Sequence, residues 1–308
     1  MNNVLQYSVW PNCCNSCEFC LRRERIPYTK EHQLKRLDRI KKNLDYIDWK
    51  GKYSDGISLL GGELYYTQDK DLQYSFLELI DLIIEKVLKV SPKPYVKYST
   101  VTNGLYEPTF LLQVLDKIVS ECGVKALDIN FSFDLKYRFK NDENKQRVID
   151  NVNLIHDRYN YKVGIQMILT QHIINSWKND NLDIVEYIDT IMPGNQLCLL
   201  YPHPIFTGIK LDDFFFNRAD LFDFLTWLKS NHYHEYLSFM HSTKNSATYK
   251  WTGLKDITSD SITEQPQLTD GKEEITECGH SVLYRCYTDS DKCMLCDLLA
   301  FDEEVFYG

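Results

Sequence analysis

The sequence has no apolar run long enough to cross a bilayer; its best stretch, residues 76–88, is broken by Glu78, Asp81, Glu85 and Lys86. It has no excess of positive charge. With 44 acidic against 35 basic side chains the net charge is −9, which argues against a surface built to hold nucleic-acid phosphates. No targeting segment precedes the first strand-like residues, and hairpin turn signals are missing between successive elements. These absences set the expectation: a cytoplasmic protein, no membrane, no nucleic-acid partner, and strands joined by crossovers rather than hairpins.

What the sequence does have is cysteine, ten residues in 308. Four fall within the stretch Cys13-Cys14-Asn-Ser-Cys17-Glu-Phe19-Cys20, and Cys13, Cys17 and Cys20 stand as C-x3-C-x2-C. Thiolates this close on one loop can grip an iron–sulfur cluster, and three of them leave one iron of a [4Fe–4S] cube open to a small molecule. Other readings are a disulfide framework, a zinc site, or a ferredoxin-like C-x2-C-x2-C run through Cys14. The missing secretory signal and the length of the chain weigh against the first. Zinc usually takes two knuckles and a fourth ligand. The ferredoxin run should continue to Cys-Pro, where Glu24 and Arg25 stand.

A second quartet, Cys278, Cys286, Cys293 and Cys296, lies in the tail. Being complete, it can close a tetrahedral zinc site, with His280 as an alternative ligand, or hold an auxiliary [4Fe–4S] cluster. Cys122 and Cys198 are isolated and read as core. His232 and His234 read as a metal pair or, more simply, as surface or core residues.

Hydrophobic periodicity alternates between strand and helix. Strand-like residues 4–10 run into the cysteine loop. Helix-like 31–47 follows, then a short apolar strand at 56–60 ended by Gly61 and Gly62. Next come a helix at 72–90, a strand at 95–101 closing on Thr102-Asn103-Gly104, and a helix at 109–120. A strand at 126–133 contains Ser132, a helix spans 143–159, and a strand at 163–170 contains Gln166. A helix at 182–192, a strand at 196–201 and a helix at 220–230 complete the pattern. Six β–α units are too few for a full barrel of about 250 residues. The fold predicted is α/β: a partial (βα)6 TIM-type barrel with parallel strands over residues 1–231, then a small cysteine-rich extension over 232–308. Chemistry in such barrels sits at the C-terminal strand ends, where all these motifs fall.

The cysteine loop, with Phe19 in the aromatic slot before its last cysteine, is followed about forty residues on by Leu59-Leu-Gly61-Gly62-Glu63. The two motifs in this order resemble the radical S-adenosylmethionine (radical SAM) superfamily. The resemblance implies the same partial-barrel fold, a [4Fe–4S] cluster on Cys13, Cys17 and Cys20, and S-adenosylmethionine chelating the open iron. It implies that Gly61, Gly62 and Glu63 hold the cofactor's amino group and that Phe19 lies beside its adenine. Ser132 and Gln166 stand where such enzymes place polar contacts to ribose and carboxylate, although a polar residue at a strand end is ordinary. Asn103 belongs to the same candidate site or shapes a turn. An electron donor such as flavodoxin or ferredoxin is implied as partner. Cys14 either replaces Cys13 as ligand or is a small buried hydrophobe; the x3 spacing favours Cys13. The tail loosely resembles SPASM or twitch extensions, with fewer cysteines than they carry.

Three functions remain open on the sequence. The first is modification of a peptide or protein side chain, favoured by the cysteine-rich tail and the acidic balance. The second is modification of a nucleotide, nucleobase or other small metabolite. The third is a non-catalytic metal-binding or redox-sensing protein, against which the intact Gly61-Gly62-Glu63 speaks.

Overall fold

The computed structural model describes residues 4–17, 19–20, 27–47, 49–51, 55–202 and 213–248, the last five without their side chains. The tail quartet Cys278, Cys286, Cys293 and Cys296, with His280, lies outside the described residues.

Six strands form one sheet in sequence order: β1 (Val4–Ser8), β2 (Gly56–Leu60), β3 (Lys97–Thr102), β4 (Leu127–Phe133), β5 (Gly164–Ile168) and β6 (Gln196–Leu200). The first three pairings are parallel, with Leu5 opposite Ile57, Ile57 opposite Tyr98, and Tyr98 opposite Leu127. Among the described residues eight α-helices accompany them: α1 (Lys30–Asn43), α2 (Lys70–Ile83), α3 (Thr109–Cys122), α4 (Asp142–Tyr159), α5 (Gln171–Asp180), α6 (Ile184–Ile191), α7 (Arg218–Asn231) and α8 (Tyr233–Thr248). The architecture is the predicted one, a parallel α/β sheet of partial-barrel type.

The register sorts the side chains. Leu5, Tyr7, Ile57, Leu59, Tyr98, Leu127, Ile129 and Phe131 share one face and are buried. The other face carries Gln6, Ser58, Ser99, Asp128 and Asn130. An apolar face under helices and a polar face turned the other way follow from the strands' period of two. Helix starts are fixed by short polar side chains: Thr29, Asp69, Asn141 and Asn217 each accept from backbone N–H groups two or three residues on. Each such cap contributes about 1 kcal/mol. α2 buries Leu72, Phe76, Leu79, Ile80 and Ile83, a stripe at helical spacing.

The chain divides into two compact bodies. The first holds residues 1–133, 137–165 and 192–196; the second holds 134–136, 166–191 and, among the described residues, 197–202 and 213–248. Two helices of the second body escape the sequence reading. α5 is short, and its buried face includes a glutamine, Gln171, beside Ile173 and Ile174. α8 buries Tyr236, Phe239, Met240 and Thr243 and packs on α7. Its stripe is aromatic and mixed with polar residues, so its period is faint. No helix among the described residues is long and apolar enough to cross a membrane.

Candidate functional site

The ladder between β1 and β2 does not stop where the strands end. Val9 N–H donates to Leu60 O at 2.8 Å, Gly62 N–H to Trp10 O at 2.8 Å, and Glu63 N–H to Asn12 O at 2.7 Å. The first turn of the cysteine loop is thereby laid against Gly61-Gly62-Glu63. A Cβ on Gly62 would sit 2.2 Å from both Pro11 O and Asn12 O, so only glycine permits this approach. One on Gly61 would meet the Leu64 side chain at 2.3 Å and Trp10 O at 3.0 Å. The sequence reading gave the two glycines to ligand approach; the neighbour they admit here is the cysteine loop's own backbone.

Asn12 closes the loop from the other side. Its amide donates to Tyr28 O and accepts from Tyr28 N–H, both at 2.9 Å. Residues 12 and 28 are thus clamped together, and the cysteines ride between them.

Glu63 is 3 % exposed. Its Oε1 accepts from Thr102 Oγ1 at 2.9 Å and Tyr65 N–H at 3.3 Å, and its Oε2 from Asn103 N–H at 2.6 Å. These donors are neutral. An aromatic cluster lies around them: Tyr65 stands 6.0 Å from Phe76 and 6.4 Å from Tyr106, and the Tyr65 and Tyr98 hydroxyls meet at 2.8 Å. Burial pushes the Glu63 carboxyl up to about 7, against the pull of its hydrogen bonds. A carboxylate offers about four acceptor positions. Three are filled by Thr102, Tyr65 and Asn103, and the Tyr106 hydroxyl, 2.7 Å from Thr102 Oγ1, also bears on the carboxylate.

Asn103 joins the two motifs. Its backbone N–H serves Glu63, while its side-chain Nδ2 lies 3.4 Å from both Cys13 Sγ and Cys14 Sγ. The loop carrying it is held by Asn151 of α4, whose amide donates to Gly104 O and Tyr106 O at 2.8 and 2.9 Å. Gly104 has φ +66, and a Cβ there would strike the Phe131 ring at 2.7 Å. Asn103 therefore both shapes a turn and reaches the site.

Among the loop cysteines, Cys13 is exposed, Cys14 and Cys20 are half-buried and Cys17 is buried. The hydrogen bond from Cys14 pulls the Cys13 thiol down to about 6, opposed by burial, and raises Cys14 in turn. Cys20 N–H donates to Cys17 O at 3.0 Å, a tight turn between the last two cysteines. Phe19 is buried, with the Arg138 guanidinium 5.2 Å from its ring centroid. Ser132 is half-buried on β4, in the first body, and Gln166 is half-buried on β5, in the second.

Among the described residues, no three His, Cys, Asp or Glu side chains converge as they would on a single metal ion. A cubane does not ask for that, because each thiolate takes a different iron. The donor chemistry fits a [4Fe–4S] cluster held by Cys13, Cys17 and Cys20, with amide donors on two of the sulfurs. A buried Glu63 carboxylate whose donors are all neutral fits a cationic amino group. His232, in contrast, is bound to Asp183 (Nε2 to Oδ2, 2.7 Å) and packs against Trp227.

Thr102, Tyr65, Asn12, Asn15 and Arg138 escape the sequence reading. Thr102 was within reach: consecutive parallel strands are neighbours, which brings the end of β3 beside the Gly-Gly-Glu end of β2.

No protein-family profile matches the chain, and no curated protein matches it by sequence. Solved structures do. The enzyme anSMEcpe, a radical SAM sulfatase-maturating enzyme, matches in its complex with AdoMet and the Cp18Cys peptide at a TM-score of 0.58 and 14 % identity, over 99 % of this chain and 96 % of that one. Its complex with AdoMet alone matches at 0.57 over the same shares, also at 14 % identity. SuiB of Streptococcus suis matches at 0.40 and 12 % identity, over 71 % of this chain and 55 % of that one. The chain has the partial-barrel fold of anSMEcpe.

Proposed function

We propose that this protein is a radical SAM enzyme that binds a [4Fe–4S] cluster through Cys13, Cys17 and Cys20 and S-adenosylmethionine through Gly61-Gly62-Glu63, and that modifies a peptide or protein side chain. The observation that carries the reading is the extended β1–β2 ladder, which sets a three-thiol loop against a buried carboxylate held only by neutral donors. When bound, the cluster and S-adenosylmethionine would together supply one-electron chemistry able to take hydrogen from a substrate.

The chain's own residues bind and orient. Glu63 accepts from the cofactor's amino group, and the aromatic wall of Tyr65, Phe76 and Tyr106 keeps water from that contact. Phe19 and its backbone flank the adenine; Ser132 and Gln166 offer polar contacts to ribose and carboxylate. The tail cysteines Cys278, Cys286, Cys293 and Cys296 hold an auxiliary [4Fe–4S] cluster or zinc, separable by iron, sulfide and zinc assay. A flavodoxin or ferredoxin supplies the electron.

The peptide substrate is supported by the complex of the similar enzyme with a peptide, a fold-level analogy. Anaerobic reconstitution with S-adenosylmethionine and dithionite tests the chemistry: 5′-deoxyadenosine forms. An intact cluster with no 5′-deoxyadenosine sinks the enzymatic reading in favour of metal binding alone. Peptide pools and nucleosides offered under the same conditions, read by mass, decide the substrate; mass change confined to nucleosides overturns the peptide assignment.

A further inference from the structure

We infer that Asn15 and Asn103 set the reduction potential of the cluster, by donating side-chain amide hydrogens to the thiolates of Cys17 and Cys13; this rests on the cluster assignment proposed above. Asn15 Nδ2 lies 3.1 Å from Cys17 Sγ, and Asn103 Nδ2 lies 3.4 Å from Cys13 Sγ.

The orientation of both amides is fixed by backbone groups, which decides which atom faces sulfur. Asn15 Oδ1 accepts from Ser16 N–H at 3.0 Å, and its Nδ2 also donates to Arg138 O at 3.1 Å. Asn103 Oδ1 accepts from Leu105 N–H at 2.9 Å. Asn103 Oδ1 also lies 3.7 Å from Cys14 Sγ, which can donate to it. Flipping either amide would turn its nitrogen onto the backbone N–H that its oxygen now accepts from, a donor against a donor. An amide nitrogen has two hydrogens. Asn15 gives one to Arg138 O and one to Cys17; Asn103 divides its pair between Cys13 and Cys14.

Hydrogen bonds to ligand sulfur draw off electron density and favour the reduced cluster, which carries one more negative charge. The two amides therefore raise the potential and ease electron uptake from a protein donor. They come from different places, one inside the cysteine loop and one at the end of β3. Asn15 also donates its backbone N–H to Cys13 Sγ at 3.4 Å, a contact that side-chain substitution leaves in place. The two side-chain amides touch different ligand thiols, so the effects of removing them add. Asn103 has a second tie, because its backbone N–H binds Glu63. One residue thus contacts both the cluster ligand and the carboxylate offered to the cofactor. Neither asparagine is a ligand or a catalytic residue; both act through the cysteines.

The test is a potentiometric titration of the anaerobically reconstituted full-length protein without S-adenosylmethionine, followed by magnetic resonance of the reduced cluster. Asn15→Ala and Asn103→Ala each shift the midpoint to more negative potential at wild-type iron content, and the double variant shifts it by about the sum. Asn15→Asp and Asn103→Asp keep the oxygen that caps the turn and lose the donor; they shift it in the same direction. Variants with full iron and an unmoved midpoint overturn the inference. So does loss of iron in both the alanine and the aspartate forms, which makes the residues purely structural. A wild-type protein that takes up no cluster is a different result and overturns the cluster assignment instead.

Discussion

Two carboxylates in the first body show what separates its surface from its site. Asp116, on α3, is about half-exposed and fully matched: Arg158 of α4 grips it through Nη2 at 2.7 Å and Nε at 3.1 Å, and Tyr159 donates at 2.7 Å. Burial pushes its carboxyl up, but the Arg158 and Tyr159 hydrogen bonds and the guanidinium charge outweigh that and hold it below the usual range. Glu63 has as many hydrogen bonds, all from neutral donors, and is buried; burial raises it to about 7. On the surface the protein balances its own charge. At the strand ends it leaves a charge half-stabilised, and a ligand that brings a cationic amino group gains by completing it.

The pH dependences run in opposite senses. The raised carboxyl of Glu63 contributes stability that is fully present below its ordinary value near 4.5 and is lost as pH rises through about 7. The depressed carboxyl of Asp116 contributes stability present above its ordinary value of 3.8 and lost as pH falls through its lower folded value. The buried carboxylate thus works against the fold near neutrality, while the ion-paired surface one supports it.

The comparison is sharpened most by removing what Glu63 faces. Cys17→Ala deletes the most buried thiol of the loop, and the expected outcome is complete loss of cluster absorption and of 5′-deoxyadenosine. Retention of either would detach Glu63 from any cluster. The next largest effect is on Glu63 itself. A hydrogen bond to a charged group contributes about 1.5–3 kcal/mol, so Glu63→Ala weakens S-adenosylmethionine binding by roughly 10- to 100-fold while iron stays near wild type. Equal loss of iron would make Glu63 a structural tie between β2 and β3 and nothing more.

The pH profile separates those roles without disturbing packing. Glu63 must be ionised to accept from an amino group, and free protein protonates it below about 7. Cofactor affinity is therefore level above that value and falls as pH drops below it, by at most about tenfold per unit. In Glu63→Gln the fall disappears and the affinity is low throughout. A wild-type profile flat from pH 5 to 8 would break the comparison, since Glu63 would then behave as Asp116 does.

How much of this was legible beforehand depends on which force fixed each part. The six strands and the larger helices are written as hydrophobic period, and β2 is foreseen at Gly56–Leu60. The cysteine loop and Gly61-Gly62-Glu63 are written as spacing. Two things are not local in sequence. Gly62 is needed because Pro11 and Asn12 pass 2.2 Å from where a side chain would stand, a contact between segments fifty residues apart. Asn15 and Asn103 look like ordinary turn residues, and they are that too; their reach to sulfur depends on a loop closed by Asn12 and Tyr28. Tail chemistry stays at the level of spacing, because its cysteines lie outside the described residues.

Gly62→Ala tests the nearer of those contacts. With backbone oxygens as the obstacle, the loop must shift, and such overpacking costs about 1–3 kcal/mol. The expected result is lower iron uptake together with a lower midpoint of unfolding. Normal iron and an unchanged midpoint would show that the loop has slack, and the close β1–β2 ladder would no longer explain why glycine stands there.

The smallest effect is expected at the surface carboxylate, and its smallness is the point. Asp116→Asn keeps an acceptor for Tyr159 and removes only the charge facing Arg158, both groups being about half-exposed. Water screens such a pair, and the side chains give up entropy to hold it, so exposed pairs are weak. The midpoint of unfolding should move slightly at pH 7, and the difference should shrink as pH falls through the depressed folded value of the wild-type carboxyl. Iron content, cofactor affinity and 5′-deoxyadenosine yield should match wild type. A loss of cofactor affinity here, so far from the strand ends in chemistry, would mean that Glu63 does not answer to its own neighbours alone, and the contrast between matched surface charge and unmatched site charge would have to be abandoned.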